Sequence, residues 1–121
     1  MYRILSVSRN TSLLLRRNDA LAMAGFSVVS PKTPEEAPFL AMQRNVDAIV
    51  IGHSVRTSER EIVIQAVRRV CPTCIVIFVY LGEESGPEPL ADLSIDVTSG
   101  AETLISELQT RLPRLRPANA A

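Results

Sequence analysis

The segment Asp47-Ala-Ile-Val-Ile-Gly52 decides the fold, because an unbroken apolar run stands between an acidic residue and a glycine. Such a run, bounded by turn residues, is typical of a strand buried on both faces of a parallel sheet. Residues 2–8 and 74–80 form comparable runs, and shorter ones occupy residues 26–29 and 94–97. The sequence therefore predicts five strands.

Helix-forming segments separate these strands, in chain order at residues 13–24, 33–45, 58–70 and 99–112. Three of them open with the spacing of a capping box, in which a hydroxyl residue and a later glutamate bond each other's backbone amides: Thr33 with Glu36, Ser58 with Glu61, and Ser99 with Glu102. Pro38 should distort the start of the second helix. Residues 82–93 are rich in glycine and proline, so any helix there must be short or irregular.

Strands that alternate with helices through short connections imply parallel pairing, right-handed crossovers and helices on both faces of the sheet. We therefore predict a doubly wound five-stranded α/β domain over residues 1–112, followed by a flexible tail at residues 113–121. In such a sheet the functional crevice lies at the carboxyl ends of the strands. The residues at these ends are Ser8, Arg9, Gly52, His53, Tyr80 and Thr98.

Composition narrows the classes of function. The chain has 121 residues, the size of one domain, and its 13 basic residues balance 13 acidic ones, which disfavours general nucleic-acid binding. Its apolar runs are too short to span a bilayer. The start Met1-Tyr2-Arg3 leads directly into a strand-like run without the regions of a secretory signal, so we expect a cytoplasmic location and no membrane partner.

Three segments resemble response-regulator receiver domains of the chemotaxis type: residues 4–10, Ala24-Gly25-Phe26 and residues 46–52. Receivers carry Asp-Asp-Asn after the first strand, an Ala-Gly-aromatic turn before the second, and Asp-Leu-Val-Leu-Leu-Asp at the third. The resemblance covers roughly residues 2–112. It implies a flavodoxin-like fold with strand order 2-1-3-4-5 and a role in bacterial two-component signal transduction or a phosphorelay.

The positions that carry receiver chemistry are altered in this chain. The two metal-binding acids correspond to Ser8 and Arg9, and the phosphorylated aspartate corresponds to Gly52. The receiver lysine falls near Thr98, and the receiver hydroxyl falls on Val79 or Tyr80. A glycine has no side chain to phosphorylate, and a guanidinium repels a cation. We therefore interpret the chain as a degenerate pseudo-receiver that is not an enzyme and uses no metal or cofactor.

Arg9 suggests a specific hypothesis, in which its fixed positive charge lies inside the crevice in place of the metal. The alternative is that Arg9 points to solvent after the strand. The other arginines, Arg16 and Arg17 among them, are interpreted as solvating helix faces.

Two further motifs contain residues with reactive side chains. Cys71-Pro-Thr-Cys74 has redox or half-zinc spacing, but it precedes a buried strand at the opposite end of the sheet, which favours a structural role. His53, the only histidine, could act as a phosphoacceptor or a general base, although the sequence offers no suitable partner. A loop histidine at the sheet edge is the favoured interpretation.

The predicted function is regulation through protein partners, including self-association. The resemblance points to the face that receivers build from their fourth helix, fifth strand and fifth helix, here residues 88–112. One alternative is a flavodoxin-like protein that binds an anion over residues 8–12 and 52–54. Another is a phosphorelay receiver whose acceptor has moved to Asp47 or Asp96.

Overall fold

Five parallel strands form a single sheet, and the computed structural model of the protein describes residues 1–82 and 86–115. The strands are β1 (Arg3–Val7), β2 (Ser27–Val29), β3 (Ala48–Gly52), β4 (Ile75–Tyr80) and β5 (Leu93–Asp96). Their order is β2-β1-β3-β4-β5, which confirms the predicted fold class and strand order. The register sets Val7 beside Ile51 and Gly52 beside Val79, so the carboxyl ends of the central strands lie together.

Helices cover both faces of the sheet. They are α1 (Thr11–Met23), α2 (Ala37–Gln43), α3 (Thr57–Val70) and α4 (Glu102–Leu115), with one 3-10 turn at Pro34–Glu36. Leu21 of α1 and Leu108 of α4 pack with Val50 on one face. Ile64 of α3 packs with Ile49 on the other face. Successive residues of β3 thus enter opposite cores, which explains why its sequence is apolar at every position.

Helix α1 begins at Thr11, two residues before the predicted position, and Asn10 is its N-cap. The side-chain oxygen of Asn10 accepts a hydrogen bond from the amide of Leu13 at 3.0 Å, which satisfies one of the free donors of the first turn. The helix ends at Met23, and Gly25 follows with a φ of +94°, a conformation that glycine adopts without strain.

The capping boxes predicted for α2 and α3 are wrong. Thr33 makes no side-chain capping bond, and the Glu36 carboxylate accepts from the amide of Lys32 at 3.3 Å. Helix α3 begins at Thr57, one residue before Ser58, and Arg56 before it also makes no side-chain cap. The box predicted from Ser99 and Glu102 is also wrong, because α4 begins at Glu102 and Gly100, which would have to be helical, has a φ of +118°.

Pro38 divides the segment predicted as one helix. Proline has no amide hydrogen, so it cannot bond the carbonyl of Pro34 as an α-helix requires. The amide of Ala37 bonds that carbonyl instead, in a tighter 3-10 turn, and α2 follows. At the other end, Asn45 has a φ of +54°, which stops the helix two residues earlier than predicted.

A buried ion pair anchors the connection between β4 and β5. Arg60 of α3 donates from Nε to Glu88 Oε1 at 2.6 Å, and the two side chains are 8% and 1% exposed. The second oxygen of Glu88 accepts from the amide of Leu90 at 3.0 Å, and the guanidinium of Arg60 lies 4.2 Å from the centre of the Phe78 ring. Residues 86–92 form no helix. This ion pair holds the β4–β5 connection against α3. The connection itself is irregular because it is rich in glycine and proline.

The last helix, α4, runs to Leu115 with Pro113 in its final turns, three residues past the predicted domain boundary. The remainder of the predicted tail, residues 116–121, lies outside the described residues. Within the described ranges no helix has the length and apolar character needed to cross a membrane.

Candidate functional site at the carboxyl edge of the sheet

The guanidinium of Arg17 occupies the carboxyl edge between β1 and β3. Arg17 lies in the second turn of α1, and its Nη1 donates to Ser6 Oγ at 3.1 Å, to the carbonyl of Val7 at 3.1 Å and to the carbonyl of Val50 at 3.3 Å. The residue as a whole is half-buried, but loss of solvent around its head group lowers the pKa of Arg17 to about 10. Arg17 therefore remains a cation at neutral pH, enclosed by neutral hydrogen-bond acceptors.

Gly52, at the end of β3, leaves the space that this guanidinium fills. A Cβ atom added to residue 52 would lie 2.6 Å from Arg17 Nη2 and 3.7 Å from the carbonyl oxygen of Val7. The backbone of Gly52 is not in the left-handed region. A side chain at this position is therefore opposed by lack of space and not by the backbone conformation. Any side chain at position 52 must displace Arg17.

Hydroxyl groups and backbone amides join the loop after β1 to the loop after β3. Ser8 Oγ lies 2.9 Å from Ser54 Oγ, which also accepts from the amide of Arg9 at 2.9 Å. The amide of Asn10 donates to Ser8 Oγ at 3.0 Å. With the amide of Leu13 bonded to Asn10, three of the backbone donors around this loop are already engaged by the protein's own side chains. This weakens the case for an anion site in that loop.

Arg9 lies at the surface, as the second of the two interpretations has it, and not inside the crevice. Its Nε donates to Glu59 Oε1 at 2.8 Å, and its Nη2 pairs with the other carboxylate oxygen of Glu59 and lies 3.8 Å from Glu35. The hydrogen bond from Arg9 lowers the pKa of Glu59 below its usual value. The Arg9 side chain is 45% exposed, so it joins the β1–α1 loop to α3 at the surface. The cation in the crevice is Arg17.

The sheet separates the remaining predicted site residues. His53, whose amide donates to the carbonyl of Val79 at 3.0 Å, and Thr98 lie on the same side as Arg17. Tyr80 packs on the α2–α3 side, with its ring 5.8 Å from that of Phe78 and nearly parallel to it. Of the two positions considered for the receiver hydroxyl, Val79 therefore faces the Arg17 side and Tyr80 does not.

A cavity of about 430 Å³ lies beside Arg17, between α1 and the connection from β5 to α4. Most of its walls are apolar, with Leu13 and Ala20 contributed by α1, Val79 by β4 and Leu104 by α4. The cavity thus combines a charged end at Arg17 with an apolar interior.

The two candidate relocated acids lie at opposite ends of the sheet. Asp47, at the start of β3, accepts from the amide of Arg3 at 2.8 Å. Asp96 ends β5, and its Oδ1 accepts from the amide of Thr98 at 2.9 Å, from the Thr98 hydroxyl at 2.5 Å and from the amide of Gly82 at 3.3 Å. These bonds lower the pKa of Asp96. Only Asp96 shares the edge that holds Arg17 and Gly52.

The residues at this edge do not fit a magnesium ion. Mg²⁺ takes oxygen ligands, of which carboxylates are the usual protein donors, and none of Ser8, Arg9 and Gly52 has one. The Asp96 carboxylate at this edge already accepts from Thr98 and Gly82. Arg17 adds a positive charge at the same place. In residues 1–82 and 86–115 there is no group of three or more histidine, cysteine, aspartate or glutamate side chains that could hold a metal.

The two cysteines lie at the opposite edge of the sheet, as predicted. Cys71 caps the end of α3 through its amide, which bonds the carbonyl of Val67 at 2.7 Å. Cys74 is buried, and burial raises the pKa of its thiol well above the usual range. Redox thiols act as thiolates and need a lowered pKa. The arrangement therefore favours the structural role.

Arg17 is the site residue that the sequence analysis missed, because charged residues on a helix usually face solvent. A signal was nevertheless present. Gly52 ends a strand in which it follows three larger apolar residues, Ile49, Val50 and Ile51, so it leaves a gap on the face that α1 covers. A long arginine on that helix is one of the few side chains able to fill it.

No family model matches the chain, and no curated protein matches it in sequence. Solved structures do match. A response-regulator receiver domain protein (CheY-like) from Methanospirillum hungatei JF-1 has a TM-score of 0.80 and 18% identity, and the match covers 95% of this chain and 96% of that one. The receiver domain of a putative Luxo repressor protein from Vibrio parahaemolyticus gives a TM-score of 0.76 at 16% identity, over 95% and 92% of the two chains. An orphan response regulator of H. pylori gives 0.69 at 18% identity, over 92% and 96%. The chain thus has the fold of response-regulator receiver domains.

Proposed function

We propose that this chain is a regulatory domain of bacterial two-component signalling that acts in the cytoplasm by binding another protein, without being phosphorylated. It catalyses no reaction of its own. The observation that carries the proposal is the guanidinium of Arg17, which fills the space beside Gly52 where a phosphoacceptor side chain would stand.

The chemistry of the edge supports phosphorylation independence in two ways. Phosphoryl transfer to a receiver needs a carboxylate nucleophile, and residue 52 has no side chain. It also needs a divalent cation to offset the charge of the phosphoryl group. Arg17 supplies a fixed positive charge beside Gly52, where it repels a metal ion. The protein therefore holds the edge in one arrangement that requires neither phosphate nor metal.

The surface of α2 and α3 supports a protein-binding role. Phe39 and Met42 on α2 and Ile62 on α3 are large apolar residues exposed to solvent. A groove of about 370 Å³ beside these helices has apolar walls at Pro38, Ile62, Val63 and Ala66 and polar ones at Glu35, Ser58 and Glu59. Exposed apolar surface of this kind marks protein interaction sites.

The contact surface proposed here differs from the one that receivers commonly use. That surface includes a helix between the fourth and fifth strands, and residues 86–92 of this chain form none. We therefore place the contact on the α2–α3 surface, defined by Phe39, Met42 and Ile62.

The proposal is tested in two stages. In-cell crosslinking first identifies a partner, and calorimetric titration of the purified pair then measures its dissociation constant with and without acetyl phosphate and Mg²⁺. We expect the same constant in both conditions, because the edge of the sheet has no group to modify. A partner that binds only after the phosphodonor is added would contradict the proposal.

Surface variants locate the contact. Ile62→Ser should weaken partner binding by about tenfold or more, since apolar anchors carry a large share of interface energy. Met23→Ser is the matched control, because Met23 is a similarly large apolar residue, 90% exposed on α1. Equal losses in the two variants would place the contact elsewhere.

A further inference from the structure

We propose that the cavity beside Arg17 binds a small organic anion, with its charged group at the guanidinium and its apolar body between α1 and α4. This inference is independent of the protein partner, because it concerns the opposite face of the sheet from the α2–α3 surface.

The ionisable side chains that line the cavity are all basic. Among the described residues that line it, Arg16, Arg17 and His53 carry basic side chains and none is acidic. Asp96 lies on the adjoining strand, but its Oδ1 accepts from the backbone and hydroxyl of Thr98. The walls therefore attract an anion and contain no carboxylate that would compete with it.

Arg17 has no counter-ion within the described part of the chain. Its three hydrogen bonds all leave from Nη1 and end on neutral oxygens, those of Ser6, Val7 and Val50. The ion pairs formed by the described residues involve other arginines: Arg9, Arg60, Arg68 and Arg111. A desolvated cation without a partner is costly to maintain. An anionic ligand would offset that cost. It could accept hydrogen bonds from Nε and Nη2 of Arg17, which take no part in those three bonds.

The shape of the cavity restricts the ligand further. Its volume of about 430 Å³ lies within the range of small-molecule sites. Leu13, Ala20, Val79 and Leu104 make the interior apolar, which disfavours sugars and polyphosphates. The class that fits is a monoanion with an aliphatic or aromatic body, such as a medium-chain carboxylate.

Decanoate tests the proposal, with decanol as a neutral probe of the same length. Amide chemical-shift titration of the protein should give saturable binding of decanoate, with the largest shifts near Leu13, Ala20 and Gly100. Decanol should bind at least about tenfold more weakly, since a hydrogen bond between charged groups is worth that factor or more. Equal affinity for the two probes, or no saturable binding of decanoate, would overturn the proposal.

Two variants and one control test whether decanoate binds in this cavity. Arg17→Met keeps an unbranched chain, removes its guanidinium and charge, and should reduce decanoate affinity by about tenfold or more until it matches that of decanol. Arg69→Met removes an exposed charge from α3 and should leave the affinity unchanged. Ala20→Phe fills the cavity and should abolish binding of both probes. Decanoate binding that survives both Arg17→Met and Ala20→Phe would place the ligand elsewhere and overturn the assignment.

Discussion

Arg17 Nη2 lies 2.6 Å from the point where a Cβ atom of residue 52 would stand, so the arginine and a side chain at that position exclude each other. The guanidinium is held there by three hydrogen bonds to β1 and β3. We propose that this α1 side chain fills the space in which the phosphoacceptor of a receiver would stand. On that proposal, the absent side chain at residue 52 and the fixed cation beside it belong to one packing arrangement.

Gly52→Ala should destabilise the protein by about 1 kcal/mol, because the flexible end of the Arg17 side chain must shift against its hydrogen bonds while the other neighbours leave room for a Cβ atom. The added methyl group displaces Arg17 from its acceptors. In an Arg17→Met background the thioether chain can move aside, so the same substitution should cost less. Urea unfolding of the wild type, both single variants and the double variant measures the coupling. Strictly additive losses would show that residues 17 and 52 do not compete for one space.

Glu88→Ala should cost about 3–5 kcal/mol in the free energy of unfolding, because it leaves Arg60 buried and unpaired. Replacing both residues, as Arg60→Met with Glu88→Leu, should recover most of that loss. Glu107→Ala is the matched control, since Glu107 forms an exposed pair with Arg111, and its effect should stay below about 1 kcal/mol. A loss from Glu88→Ala as small as the control's would mean that the β4–β5 connection is not anchored by this pair.

Arg9→Met should raise the pKa of Glu59 toward 4.5, the value of an unperturbed glutamate. The lowered pKa means that this pair stabilises the folded state above the unfolded pKa, and that the contribution is lost as the pH falls through the folded pKa. A carboxyl-detected NMR titration measures the pKa directly. Arg56→Met should change it less, because Arg56 contributes only a weaker charge interaction. If the two variants shift the pKa equally, Arg9 does not make the bonds described here.

Cys74 should not react with a disulfide reagent such as Ellman's reagent in the folded protein, because burial raises the pKa of its thiol and shields it. In denaturant the wild type should release two equivalents per chain. Cys71→Ser leaves Cys74 as the only thiol and gives the cleaner measurement. Rapid native labelling of that variant would contradict the structural role.

The sequence allowed the sheet to be predicted because its signals are local. Continuous apolar runs such as residues 47–52 reflect strands buried on both faces, and a shift of one or two residues at their ends does not change the topology. Capping was predicted less well. Thr33 and Glu36 have the right spacing for a capping box, but Pro38 imposes a 3-10 turn on this segment. The capping-box rule considers two residues only and takes no account of a proline that follows them.

The site could be predicted only in part, because the sequence identifies a missing group more readily than the side chain that takes its place. Gly52, Ser8 and Arg9 stand out against the receiver pattern. Arg17 does not, since its position depends on the distance between a helix face and a strand end. Glu88 was missed for a similar reason, because its partner Arg60 lies 28 residues away in the chain.

Incubation of the purified protein with acetyl phosphate and Mg²⁺, followed by intact-mass measurement, tests the central claim most directly. A phosphorylatable receiver treated in parallel shows that the reagent is active. We expect no added phosphoryl group on this protein while the control is modified, because residue 52 has no side chain and Arg17 fills the space beside it. A stoichiometric gain of one phosphoryl group would contradict it and direct attention to Asp96, the carboxylate that ends β5 at the same edge.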